Sequence, residues 1–195
     1  PIDESKIPAF VKPFLEMGQK IGFLASQINK SQIVSIKVSG HGEISKYVDS
    51  LSTFVAVGAM SETSGDTINY VNAEFVAKEK GIKIEFEALN DSTVFKNLIT
   101  IKLTTSDGAT SVSGTIFDDN VQRIVGIDGF EIEFALKGDM ILFKNNDVPG
   151  VIGSIGSTLA KNNVNIADFS LARNKKSEAL AVILVDNAVT DATMK

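Results

Sequence analysis

Near the start of the chain, apolar side chains recur at three- and four-residue steps: Ile7, Phe10, Val11, Phe14, Leu15, Met17, Ile21, Leu24 and Ile28. That spacing defines one face of a helix. Pro8 and Pro13 interfere with its first turns, so the helix is expected from about Phe14. Residues 33–38 then alternate and predict a strand closed by Gly40. Residues 43–60 carry Tyr47, Leu51, Phe54, Val55 and Val57 at helical spacing, and the polar run 61–66 reads as a loop. A third helix is expected over 69–80, through Val71, Phe75 and Val76, with Gly81 as its stop.

After Gly81 the period changes. Residues 82–86 alternate strictly, as a half-buried strand does. Residues 97–105 and 111–117 repeat the alternation around Ser106-Asp107-Gly108, and 122–127 and 130–136 do so around Asp128-Gly129. Asp-Gly between alternating runs is a hairpin signal. Residues 1–136 therefore read as one α+β domain, three helices with an antiparallel meander. Lys137-Gly138-Asp139 is a polar joint, and a second unit, 137–195, follows with strand 140–144, helix 149–161, strand 164–172 and strand 179–185. The order β-α-β-β is the first part of a ferredoxin-like βαββαβ fold, whose second helix residues 190–195 would begin. On this reading the fold is cut short, and strand 140–144 is left with an open edge that a partner chain would have to cover. A start at Pro1 without Met likewise suggests a fragment or a processed chain.

Composition narrows the function. With 44% hydrophobic and 22% charged residues the chain is expected to be globular, and the net charge of −5 with no basic cluster beyond Lys175-Lys176 argues against nucleic acid. The absence of Trp and the presence of two Tyr give no stacking platform for bases. No cysteine is present, which excludes disulfides, Cys-ligated zinc and iron–sulfur clusters and suits a reducing cytoplasm. Apolar runs such as 179–185 are too short to span a membrane, and no signal peptide opens the chain, so no membrane partner is expected. The single histidine, in Ser39-Gly40-His41-Gly42, reads as a turn residue, and no catalytic triad can be assembled around it. Asp118-Asp119 reads as a solvated turn rather than a calcium site. No catalytic residue, metal site or cofactor site is expected in this chain.

One stretch carries chemistry. Asn145-Asn146-Asp147-Val148-Pro149-Gly150-Val151 joins a strand to a helix, with proline at an early helical position and a glycine that admits a ligand close to the backbone. Free N–H groups at such a tip attract a carboxylate. Asp147 can accept from an ammonium group and Asn145 can both donate and accept, the mixture a zwitterionic amino acid needs. Asp147 has an alternative reading as a helix cap. Gly150, Gly153 and Gly156 are spaced G-x-x-G-x-x-G, not G-x-G-x-x-G, so a dinucleotide loop is disfavoured. Gly153 and Gly156 are expected instead on a helix face that packs closely on the sheet. Asn162-Asn163 reads as a helix exit.

The run Asn146-Asp147-Val148-Pro149-Gly150-Val151-Ile152-Gly153, followed by Asn163-Val164-Asn165-Ile166, resembles the ACT domain of D-3-phosphoglycerate dehydrogenases. Upstream, Asn69-Tyr70-Val71-Asn72-Ala73, Ala77-Lys78-Glu79-Lys80-Gly81-Ile82, Asn97-Leu98-Ile99-Thr100, Ser113-Gly114-Thr115 and Arg123-Ile124-Val125-Gly126-Ile127-Asp128-Gly129 resemble the intervening, allosteric-substrate-binding domain of the same family. The resemblance implies a regulatory region that binds L-serine, or another small amino acid, between two self-associating ACT domains, through Asn145, Asp147, Gly150, Val151 and Asn165. At Asn145 relatives carry His or Tyr. It also implies a parent enzyme that oxidises 3-phosphoglycerate with NAD in domains outside this sequence. For the family's anion site, Arg123 matches one basic position, two others fall on Ala135 and Leu184, and Lys137 is the nearby cation that would substitute. Two alternatives stand beside this: the regulatory region of an iron–sulfur L-serine dehydratase, and a purely structural dimerisation module.

Overall fold

The computed structural model describes residues 7–90, 94–117, 120–187 and 189. It divides the chain into two compact units, Pro1–Asp128 and Gly129–Lys195. The expected turn at Asp118-Asp119 and the helix expected over 190–195 lie outside the described residues.

The first unit contains helix α1 (Lys12–Ile28), strand β1 (Ile33–Gly42), a 3-10 turn (Glu43–Tyr47), helix α2 (Val48–Ser64), helix α3 (Ala73–Glu79) and strands β2 (Lys83–Leu89), β3 (Asn97–Thr105), β4 (Gly108–Ile116) and β5 (Gln122–Ile127). Pro13 lies in the first turn of α1, where its missing N–H costs no helical bond, so the helix starts two residues before Phe14. The apolar stripe is buried, with Met17 and Ile21 fully so. The strands run in the order β2-β1-β3-β4-β5. β3, β4 and β5 form the expected antiparallel meander. β1 lies inside the sheet next to the edge strand β2, antiparallel to β3 and parallel to β2, with Ile36 opposite Ile84. α2 and α3 bridge β1 and β2, as a parallel pair requires a long crossover.

Three local expectations change. β1 does not close at Gly40 but runs through Gly42, so His41 is a buried strand residue opposite Leu98 and Leu89, not a turn residue. Gly40 is there for room: a Cβ would come within 2.5 Å of Val48 Cγ1 and 3.1 Å of Ser45 Cα. Gly42, at φ +77°, is the residue that turns the chain. The loop expected over 61–66 is helical to Ser64, and there Ser61 and Thr63 turn their hydroxyls back onto the carbonyls of Gly58 and Met60. Finally, α3 is shorter than 69–80. Asn69 Oδ1 accepts from Val71 N and Asn72 Oδ1 from Asn69 N, which spends residues 69–72 on a turn before the helix. Gly81, left-handed at φ +69°, stops it as anticipated.

The second unit contains β6 (Phe130–Ala135), β7 (Asp139–Asn146), α4 (Val151–Lys161), β8 (Ile166–Arg173) and β9 (Glu178–Val185). The last three strands form an antiparallel sheet in the order β7-β9-β8, the ferredoxin-like arrangement in which β7 and β8 run the same way either side of β9. Among the described residues β7 has a neighbour on one side only. α4 covers the sheet through Leu159, which is buried with Ile183 and Val185 against Ile141, Phe143 and Phe169. Asn163 at φ +56° provides the anticipated left-handed exit from α4. Gly153 and Gly156 do not seat the helix on the sheet, since a Cβ at either would meet nothing within 4 Å.

Candidate functional site

The register of the second sheet sets Asn145 opposite Ala179, and Ala179 opposite Arg173, so three strand ends meet in one row. Beyond that row the chain leaves β7, passes Asp147 and turns at Gly150, whose φ of +95° is left-handed. Glycine reaches that conformation without the penalty a Cβ brings. Gly150 is the N-cap of α4, so Pro149 sits just outside the helix rather than in its first turn. The first helical bond runs from Ser154 N to Gly150 O (2.9 Å). The N–H groups of Val151, Ile152 and Gly153 therefore have no partner inside the helix, and the positive end of its dipole faces the same way.

These segments enclose a cleft of about 360 Å³. Asn145, Asp147, Gly150, Val151, Arg173 and Ala179 all line it. Four of the five expected effector residues are thus brought together. Asp147 does not cap α4, which has no side-chain cap. Its Oδ2 instead takes the Arg173 Nε–H at 2.7 Å, and its backbone N–H donates to Ser177 O at 3.0 Å, which ties it to the β8–β9 turn. Asn145 Nδ2 donates to the carbonyl of Asn146 (2.7 Å), so its amide lies along the rim.

Asn165 is not in this cleft. It precedes β8 at the opposite end of the sheet, eight residues from Arg173, or roughly 25 Å at strand rise. There its Nδ2 donates to Asp186 Oδ2 at 2.6 Å, and its carbonyl accepts from Asp186 N at 3.2 Å. Of the expected anion residues, Arg123 is half-buried on β5 in the first unit and Lys137 is exposed in the second. Ala135 and Leu184 are 5% and 6% exposed, buried apolar positions.

Arg173 was missed in the sequence, where it falls just after the strand expected over 164–172. The usable signal is its distance along β8 from Asn165, which puts it at the Asp147 end once the strand order is known. Behind the rim, Asn174 Nδ2 and Lys144 Nζ (3.4 Å) both hold Glu178. The Asn174 hydrogen bond, ahead of the Lys144 charge, keeps the Glu178 carboxyl below its ordinary 4.5. A carboxyl held low when folded contributes stability that is present above that ordinary value and lost as pH falls through the lower one. In an NMR titration Asn174→Ala should move the Glu178 midpoint back up towards 4.5. An unmoved midpoint would show that the hydrogen bond is not the cause.

A ferredoxin-like unit with a polar cleft at its first strand–helix turn, following an α+β domain built on a meander, fits the two-domain class of regulatory regions. Residues 10–128 match the model of the D-3-phosphoglycerate dehydrogenase intervening domain, and residues 140–195 match the ACT domain. The chain belongs to the D-3-phosphoglycerate dehydrogenase family, of which it is the regulatory region. It is similar to the D-3-phosphoglycerate dehydrogenases of Bacillus subtilis (32% identical, over 96% of this chain and 36% of the relative) and Synechocystis (30%, over 93% and 33%). That of Archaeoglobus fulgidus is 30% identical over 93% of this chain and 35% of the relative. The chain thus spans about a third of the length of these relatives.

Proposed function

We propose that this region is the amino-acid sensor of an enzyme that oxidises 3-phosphoglycerate with NAD in domains outside these residues, and that its effector is L-serine or another small amino acid. The observation that supports this is the cleft, where one carboxylate, one side-chain amide and the unpartnered N–H groups at the start of α4 converge on a glycine. Asp147 takes the ammonium group, and the N–H groups of the helix end add donors beside the ligand. Asn165 of one copy completes the site of another. When β8 edges of two copies pair antiparallel about a twofold axis, the start of one strand lies beside the end of the other. That places Asn165 of a second copy near the Asp147 rim. Serine then favours the paired arrangement, and the catalytic domains read that as altered activity. On this reading the protein is cytoplasmic, as the absence of cysteine suggests.

The test is calorimetric titration of L-serine into the chain. Asp147→Asn should weaken binding by about 10- to 100-fold, the loss expected when a hydrogen bond to a charged group is made neutral. Asn165→Ala should weaken serine binding while sedimentation still finds a dimer. A folded dimer that gives no heat with millimolar L-serine would remove serine as the effector.

A further inference from the structure

We infer that Arg173 is the specificity residue of this cleft, the group that recognises the ligand's carboxylate and restricts the site to molecules carrying both charges. The inference rests on the sensor reading above and names a recognition element that the sequence did not.

Two observations lead to it. Among the described residues that line the cleft, Asp147 and Arg173 are the only charged ones, so this lining is neutral overall but carries one charge of each sign side by side. Their contact joins Nε to Oδ2 at 2.7 Å. A guanidinium has five N–H donors, and the terminal pair forms a fork that matches a carboxylate. A carboxylate offers about four acceptor sites on its two oxygens, so Asp147 can also accept from an ammonium group. An α-amino acid carries its ammonium and carboxylate on a single carbon, so its two charges are as close together as the two it meets. Arg173 need not give up Asp147 to bind it.

The surroundings support the assignment. The Arg173 side chain is 63% exposed and that of Asp147 32%, so the pair is open to a ligand and its own attraction is screened by water. Charge-assisted bonds to a ligand that covers the pair then add to it. Glu178, the carboxylate on the neighbouring strand end, is held by Asn174 and Lys144 and does not compete for the guanidinium. Ala179, between Arg173 and Asn145 in the register, keeps the floor of the row low. A simple amine would satisfy Asp147 and leave Arg173 unmatched. A simple acid would do the reverse.

The test compares L-serine with L-serinamide, whose carboxylate is replaced by a neutral amide, and glycine with glycinamide as a second pair. Each is titrated into the chain by NMR at concentrations up to tens of millimolar. In the unmodified chain the acid of at least one pair should bind more than 10-fold tighter than its amide. In Arg173→Gln that ratio should fall to about 1, chiefly by weakening of the acid, while Arg173→Lys retains part of it. A ratio unchanged in Arg173→Gln would overturn the assignment and leave the sensor reading standing. So would a loss of acid and amide in equal proportion, which marks a structural role. An unmodified chain that binds neither serine nor glycine would overturn the sensor reading, and this inference with it.

Discussion

Replacing Ile183 by alanine should cost about 3 kcal/mol and unfold the second unit at a temperature ~10–25 °C lower, as read by calorimetry. Ile183 is fully buried on β9, the central strand, between Leu159 of α4 and the partly buried Ile141, Phe143 and Phe169. Removing its branched side chain forfeits the transfer energy and leaves a void that strands pinned by ladders on both sides cannot close. The unit is small, Gly129–Lys195, and a domain of that size holds only about 3–10 kcal/mol in total. One core truncation therefore consumes a large share of the margin. A melt indistinguishable from the parent's would mean that Leu159, Ile183 and Val185 are not the core of this unit. Ile183→Val, which removes a single methylene, should cost only about 1 kcal/mol and serves as the graded control.

The second large effect has a sign opposite to the one helix propensity suggests. Gly58→Ala should destabilise the first unit by about 2–3 kcal/mol, although alanine is favoured over glycine in a helix by about 1 kcal/mol. The reason is the crossing of α1 and α2. A Cβ on Gly58 would strike the carbonyl of Gln19 and lie 3.0 Å from Phe23 N, and a Cβ on Gly22 would strike the carbonyl of Val55. Both obstacles are backbone, so the helices have to separate instead of letting a side chain rotate away. Separation loosens Leu51, Val55, Met17 and Ile21 at once, all buried. Gly153→Ala on α4 is the comparison. With nothing within 4 Å of its Cβ, it should stabilise by about 0.5–1 kcal/mol. Urea unfolding of the two variants should move the midpoint in opposite directions. A stabilised Gly58→Ala would show that the helices do not pack backbone to backbone there.

These glycines show where reading along the chain stops working. Gly58 and Gly153 look alike in sequence, each a glycine inside a helical pattern, yet one is required by a neighbouring helix and the other by nothing nearby. The expectation for Gly153 and Gly156 failed because a Cβ clash depends on what lies across from the helix, which periodicity does not encode. His41 failed for the same reason. Its flanking glycines suggest a turn, but Gly40 makes room for Val48 and only Gly42 bends the chain. Within the cleft, Asn145, Asp147, Gly150 and Val151 were legible because seven consecutive residues carry them and a strand–turn–helix holds such neighbours together.

What the sequence by itself determined is therefore local and periodic. The meander strands β3 and β5 begin and end where alternation and Asp-Gly turns place them, α3 stops at Gly81, and α4 exits through Asn163. These follow from backbone preferences that each residue carries wherever it sits. Tertiary structure decided the rest. It put β1 between β2 and β3 and parallel to β2, brought Gly22 and Gly58 to the helix crossing, and set Asn165 at the far end of β8 from the cleft. It also laid Arg173 against Asp147, a pairing between residues 26 positions apart that exists only because β9 lies between β7 and β8 and aligns their ends. The hydrogen bonds and buried side chains that fix that alignment are shared between segments, and no single segment specifies them.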